Sequence, residues 1–148
     1  MKGYTLVELL TVIAILALMT TITSLYLFRR EGPFGLQMAA RELAQCLRHA
    51  HARAITLNKP QAVTLDLDSR RFGCPGKAGQ FPSASRLLFR TAASEYVRGR
   101  IATLRFLGDG TATGGHIFLE ERGQIWSIRV NWLTAEVRLA RETHWPEP

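Results

Sequence analysis

Gly3-Tyr4-Thr5-Leu6-Val7-Glu8-Leu9-Leu10-Thr11-Val12-Ile13-Ala14-Ile15-Leu16 follows Met1-Lys2 and leads into a long apolar run. From Leu9 to Phe28 twenty residues carry no charge. At about 1.5 Å per residue, twenty helical residues span roughly 30 Å, the thickness of a bilayer's hydrocarbon core. Leucine, isoleucine, valine and methionine surround such a helix on every side, so it wants lipid or a fully apolar bundle. Tyr26 suits an interface and Arg29-Arg30 end the span. A secretory signal peptide has a shorter apolar stretch and a small-residue cleavage site, and neither is present. A plain signal anchor fits the length but leaves Glu8 without a purpose. A carboxylate in the middle of a membrane helix costs about 2–3 kcal/mol, and less near the end.

Outside that run the chain reads as one domain. Of the 148 residues, those from Arg29 onward hold 18 Lys+Arg and 11 Asp+Glu, giving 18 − 11 = +7. Sixteen of all 19 basic residues are Arg. An excess of this size invites an anionic partner. The charges are scattered, however, with no run of five, which is the pattern of a solvated surface. Cys46 and Cys74 are the two cysteines. They suit a bridge in an oxidising compartment, and Cys46 equally suits a buried thiol in an apolar helical stripe.

Gly32, Pro33 and Gly35 interrupt the helical pattern. It resumes at Leu36, with Ala39/Ala40, Leu43, Leu47, Ala50, Ala54 and Leu57 at three- and four-residue steps. Asn58-Lys59-Pro60 ends it. Strand patterns follow. Residues 62–68 alternate, with Val63, Leu65 and Leu67 predicted inward. Arg71 to Cys74 reads as a short partner, Pro75 to Ser85 as a loop, and Arg86 to Arg90 and Arg100 to Leu107 as strands. Asp109 to Gly115 is a turn-rich connection. His116 to Glu120, Gln124 to Val130 and Glu136 to Leu139 complete the strands, with Arg122-Gly123 as a hairpin turn and Leu133-Thr134-Ala135 as the last connection. A helix followed only by strands predicts an α+β fold with antiparallel sheets.

The N-terminal stretch resembles the signal of type IV pilins and type II secretion pseudopilins: a short basic leader ending in Gly, an aromatic first mature residue, and Glu at the fifth mature position. Here these are Met1-Lys2-Gly3, Tyr4 and Glu8. Tyr4 stands where the family usually has Phe. Three later segments are similar to the H-type minor pseudopilins and related minor pilins: Ala50 to Leu65, Arg105 to Ile117 with its Asp-Gly-x-x-x-Gly-Gly core, and Val130 to Leu139. In the last of these, Thr134-Ala135 replaces an expected Thr-Gly, which puts the turn geometry in question.

The resemblance implies a pilin-like fold, in which a long N-terminal helix, half transmembrane and half amphipathic, packs on antiparallel sheets. It implies a leader at 1–3, a membrane and filament-core helix at 4–28, and a periplasmic domain at 29–148. It implies cleavage between Gly3 and Tyr4 by a prepilin peptidase, N-methylation of Tyr4, and single-pass anchoring in the inner membrane. The major pseudopilin and other minor ones would be partners. Glu8 would meet the cationic N-terminus of a neighbouring subunit, where opposite charges attract strongly at low dielectric.

No catalytic constellation stands out. His49 and His51 are two apart on a helix and face different ways, and with His116 and His144 they form no zinc spacing. The glycines near Asp109 match no phosphate-binding pattern, and one carboxylate cannot supply a calcium site. No enzyme activity, metal or cofactor is expected. His49 and His51 read as solvated surface, and Trp126 and Trp132 as packed on the sheet. A different reading is a minor pilin that binds nucleic acid during DNA uptake, with Arg129, Arg138 and Arg141 as phosphate contacts.

Overall fold

The computed structural model describes residues 6–28, 33–91, 96–97 and 101–146, with side chains over 6–19, 34–91 and 101–146. The chain forms two compact units, Met1–Arg30 and Glu31–Pro148.

The first unit contains α1 (Leu6–Phe28). The second opens with α2 (Pro33–Leu57). This helix begins three residues before the predicted Leu36, because Pro33 suits a first turn that needs no N–H from it. One stripe of α2 is buried: Leu36, Ala39, Ala40, Leu43, Ala44, Leu47, Ala50 and Ala54, with Cys46 beside them. The stripe stops at Ala54. Leu57, predicted to continue it, is about half exposed.

Among the described residues nine strands follow: β1 (Gln61–Asp66), β2 (Arg71–Cys74), β3 (Lys77–Gln80), β4 (Arg86–Arg90), β5 (Tyr96–Val97), β6 (Ile101–Phe106), β7 (Gly115–Glu121), β8 (Gln124–Val130) and β9 (Val137–Glu142). They form two antiparallel sheets, ordered β3-β2-β1-β6-β5 and β4-β7-β8-β9. Helix α2 contacts strands of both. One core joins the three elements, with Val63, Leu65, Leu104 and Phe106 from the first sheet and Ile117, Leu119 and Ile128 from the second. Val63 and Leu65 are fully buried as predicted, whereas Leu67 lies beyond the end of β1 and is only partly covered.

Two strands have no counterpart in the sequence reading, and β9 runs three residues past the predicted Leu139 to Glu142. β3 lies inside the predicted Pro75–Ser85 loop. There Gly76 turns with φ 85°, and Gly79 crosses the Phe72 ring so closely that a Cβ would lie 2.1 Å from it. The rest of that loop is held by Arg70, whose guanidinium donates to the carbonyls of Pro82 (3.2 Å), Ser83 and Ser85 (2.8 Å). β5 is a two-residue edge on β6 with no alternation to announce it.

The turns follow their residues. Arg122 and Gly123 both have positive φ (51° and 77°), the conformation of a two-residue hairpin loop. Ala135 takes φ 52° where a glycine was expected. The connection around it is pinned by Asn131, whose Oδ1 accepts from the N–H groups of Leu133 (2.8 Å) and Thr134 (3.2 Å). Gly114 takes φ 71°, and the backbone and Cβ of Trp132 leave no room there for a side chain.

Cys46 on α2 and Cys74 at the end of β2 are joined as a disulfide, with Cα atoms 6.0 Å apart and a sequence separation of 28. Closing a loop of that length removes entropy from the unfolded chain worth about 3–4 kcal/mol. Reduction of the full-length protein in detergent, or the pair Cys46→Ser with Cys74→Ser, is therefore expected to lower Tm by roughly 10 °C in a thermal melt. An unchanged Tm would mean that the bridge adds nothing to the fold.

Candidate assembly and docking surfaces

In the first unit the described side chains of α1, from Leu6 to Met19, are all exposed. Each large apolar one among them is more than half exposed, on every side of the helix. Among the described residues no helix is long and apolar enough to cross a membrane. The side chains of 20–28, the other part of the predicted span, lie outside the described residues. Glu8 stands in the first turn of α1, exposed. Thr11 sits on the next turn, its hydroxyl donating to the carbonyls of Val7 and Glu8, 2.9 Å each. Gly3 and Tyr4, the predicted cleavage pair, lie outside the described residues.

In the second unit the arginines singled out for phosphate contact divide. Strand register places Arg129 directly opposite Arg138, and Arg141 opposite Trp126. Side chains alternate along a strand, so Arg129 and Arg138 share the outer face while Arg141 belongs to the other. Arg138 is engaged by Glu136 at 2.8 Å, which lowers the Glu136 pKa and raises that of Arg138. Arg90, His116, Arg129 and Arg138 form one row across all four strands.

The next rows of this face are closed off. Trp145 from the C-terminal tail lies edge-on to Phe118, with ring centroids 6.3 Å apart, and Arg86 stacks over the Trp145 ring at 4.7 Å. Arg86 also pairs with Glu120 at 3.8 Å, and Ser127 donates to Glu142 at 2.6 Å.

Three aromatic positions differ from expectation or settle an open one. Trp132, predicted to pack on the sheet, is two-thirds exposed on the β8–β9 connection. His51, predicted to be solvated, lies 5.8 Å from the Phe106 ring with its Nε2 buried, while His49 is exposed. Trp145, which the sequence left open, is half buried. The Asp109 turn is closed by its own side chain: Oδ1 accepts from the Thr111 N–H (2.9 Å) and hydroxyl (2.7 Å), which lowers the Asp109 pKa. No group of three or more His, Cys, Asp or Glu placed to hold a metal occurs among the described residues.

With the fold and these surfaces established, comparison with known proteins is decisive. Residues 39–134 match the family described as Type II transport protein GspH, and residues 1–24 match the prokaryotic N-terminal methylation motif. The chain belongs to the GspH family of type II transport proteins, the H-type minor pseudopilins of type II secretion. It is 32% identical over 139 residues to the type II secretion system protein H of Xanthomonas campestris pv. campestris, covering 93% of this chain and 82% of that one. Its fold is similar to that of the minor pseudopilin EpsH of Vibrio cholerae, with a TM-score of 0.57 at 17% identity over 72% of this chain and 96% of that one. It is also similar to the type IV minor pilin FimU of Pseudomonas aeruginosa, with a TM-score of 0.53 at 16% identity, covering 72% and 88%. GspH membership lends no support to the DNA-uptake reading.

Within this GspH domain the cationic row has a measurable signature. His116 is half buried and held below its ordinary pKa of 6.5, first by burial, then by Arg129 and Arg90, with Glu142 opposing them. Because the folded pKa is depressed, the unfolded chain binds the proton first as pH falls. The resulting stability is present above 6.5 and is lost as pH falls through the lower folded value. An NMR titration is expected to place His116 below 6.5, and Arg129→Ala to move it upward. A downward move would reverse the electrostatic assignment.

Proposed function

We propose that the protein is a structural subunit of a periplasmic pseudopilus, anchored in the inner membrane by its N-terminal helix and assembled with the major pseudopilin and other minor ones. The observation that carries this reading is the apolar surface of α1, exposed on every side. A helix of that kind is not stable in water alone and must be covered by lipid or by like helices. The N-terminal methylation motif across residues 1–24 supports cleavage between Gly3 and Tyr4 by a prepilin peptidase, followed by methylation of the new amine.

Glu8 supplies the specific element. In an apolar filament core an uncompensated carboxylate is costly, and a neighbour's N-terminal amine is the cation that assembly brings near. The globular domain supplies contacts to partners. The role is architectural rather than catalytic, consistent with a family of structural subunits.

Mass spectrometry of the membrane-purified protein tests processing. The expected chain begins at Tyr4 and carries a methyl group; an intact Met1 in cells that contain the peptidase would sink the reading. Glu8→Ala is expected to leave the domain folded while sharply reducing recovery of the other pseudopilins in pull-downs, and with it secretion. Undiminished recovery and secretion would remove Glu8 from assembly.

A further inference from the structure

The disulfide builds more than stability. It clips the β2–β3 hairpin to α2 and leaves a cleft of about 430 Å³ between them. One wall is the wet face of α2, with Gln45, His49 and Arg53 at four-residue steps. The other is the hairpin from Cys74 to Lys77. A second hollow of about 410 Å³ shares His49 and Arg53 and continues along the helix to Leu57. From Gln45 to Leu57 the helix rises roughly 18 Å, the length of about five extended residues.

The groove is cationic and partly apolar. Arg53 and Lys77 are basic, His49 lies on the helix wall one turn before Arg53, and no carboxylate lines either hollow. Neither Arg53 nor Lys77 has an ion-pair partner among the described residues. The apolar part of the lining is the disulfide and Pro75 in the first hollow and Ala52 and Leu57 in the second. We infer that this groove is a docking site for an extended acidic segment of a partner protein, with carboxylates meeting Arg53 and Lys77 and apolar side chains lying on the disulfide and Leu57. A nucleic acid fits less well, because no Phe, Tyr or Trp lines the groove to stack a base and two fixed cations neutralise few phosphates. The disulfide fixes both walls before binding, which reduces the ordering cost.

The site names a surface for the partner contacts proposed above and rests on that reading for the partner's nature. Its test uses the isolated chain, so it fails or succeeds separately from processing at Gly3 and from the role of Glu8. Fluorescence anisotropy would follow a labelled hexaglutamate peptide binding to the full-length protein in nonionic detergent at low salt. Arg53→Glu with Lys77→Glu is expected to weaken binding by about tenfold or more. Both side chains are on the surface, and circular dichroism checks that the variant folds. Arg129→Glu with Arg138→Glu removes the same charge from the outer sheet face and is expected to leave binding within about twofold. The pair Cys46→Ser with Cys74→Ser, confirmed folded, is expected to weaken binding by releasing the hairpin. Equal losses in the two arginine-containing pairs would reduce the effect to net charge and overturn the site. So would unchanged binding in Arg53→Glu with Lys77→Glu, or equal competition by a single-stranded oligonucleotide of the same length. Unchanged binding in the serine pair would overturn the role given to the disulfide.

Discussion

The buried stripe of α2 is the constraint on which the second unit depends. Leu36, Leu43 and Leu47 each contribute about 2 kcal/mol by leaving water. The alanines between them matter as much. Ala39, Ala40, Ala44, Ala50 and Ala54 keep the helix surface flat, so that two sheets can pack against a single helix. A larger residue at any of these positions would have to displace Leu65, Leu104 or their neighbours from a close-packed interior. The stripe also decides by elimination what the domain presents outward. Gln45 falls on the opposite face, and His49 and Arg53 on the flank that runs round to Cys46, because 3.6 residues per turn keeps all three out of the stripe.

The core was legible in the sequence because burial imposes a period. Three- and four-residue steps gave α2, strict alternation gave β1, and Arg122-Gly123 between two alternating runs gave the β7–β8 hairpin. β3 and β5 were missed for a common reason: they are short, and the side chains described for β3 are largely exposed, so no period is written into them. The pairing of β1 with β6 and of β4 with β7 joins strands distant in the chain, and local pattern carries no register between them. The disulfide stayed open at the sequence level for the same reason. A separation of 28 residues says nothing about distance until α2 packs on the sheet and brings the Cα atoms to 6.0 Å.

The candidate site was legible in part. Glu8 stood out because a charge at the head of an apolar run contradicts its surroundings. The grouping of Arg129, Arg138 and Arg141 shows the opposite case. Arg138 and Arg141 are three apart on one strand, and a period of two already places them on different faces. Only the partnership of Arg129 with Arg138 required the fold, since it depends on the β8–β9 register. Trp132 was beyond reach, because its exposure follows from the Asn131-centred connection and from the close approach at Gly114 rather than from its own type.

The two helices solve different problems with the same apolar residues. A stripe on one side, as in α2, specifies rotation: only one face can meet the core, and a quarter turn would expose it. Apolar residues on all sides, as in α1, specify neither rotation nor depth, since every face is equally content in lipid or against another helix. A single charge breaks that degeneracy. In the assembly proposed above, with α1 buried among like helices, Glu8 would be satisfied only where a cation stands at the same level, so one carboxylate would set axial register while the apolar residues supply the affinity. On that proposal, folding of the domain and assembly through the helix would be separable in the sequence itself, one set by the spacing of leucines and alanines in α2 and the other by the position of Glu8 in α1.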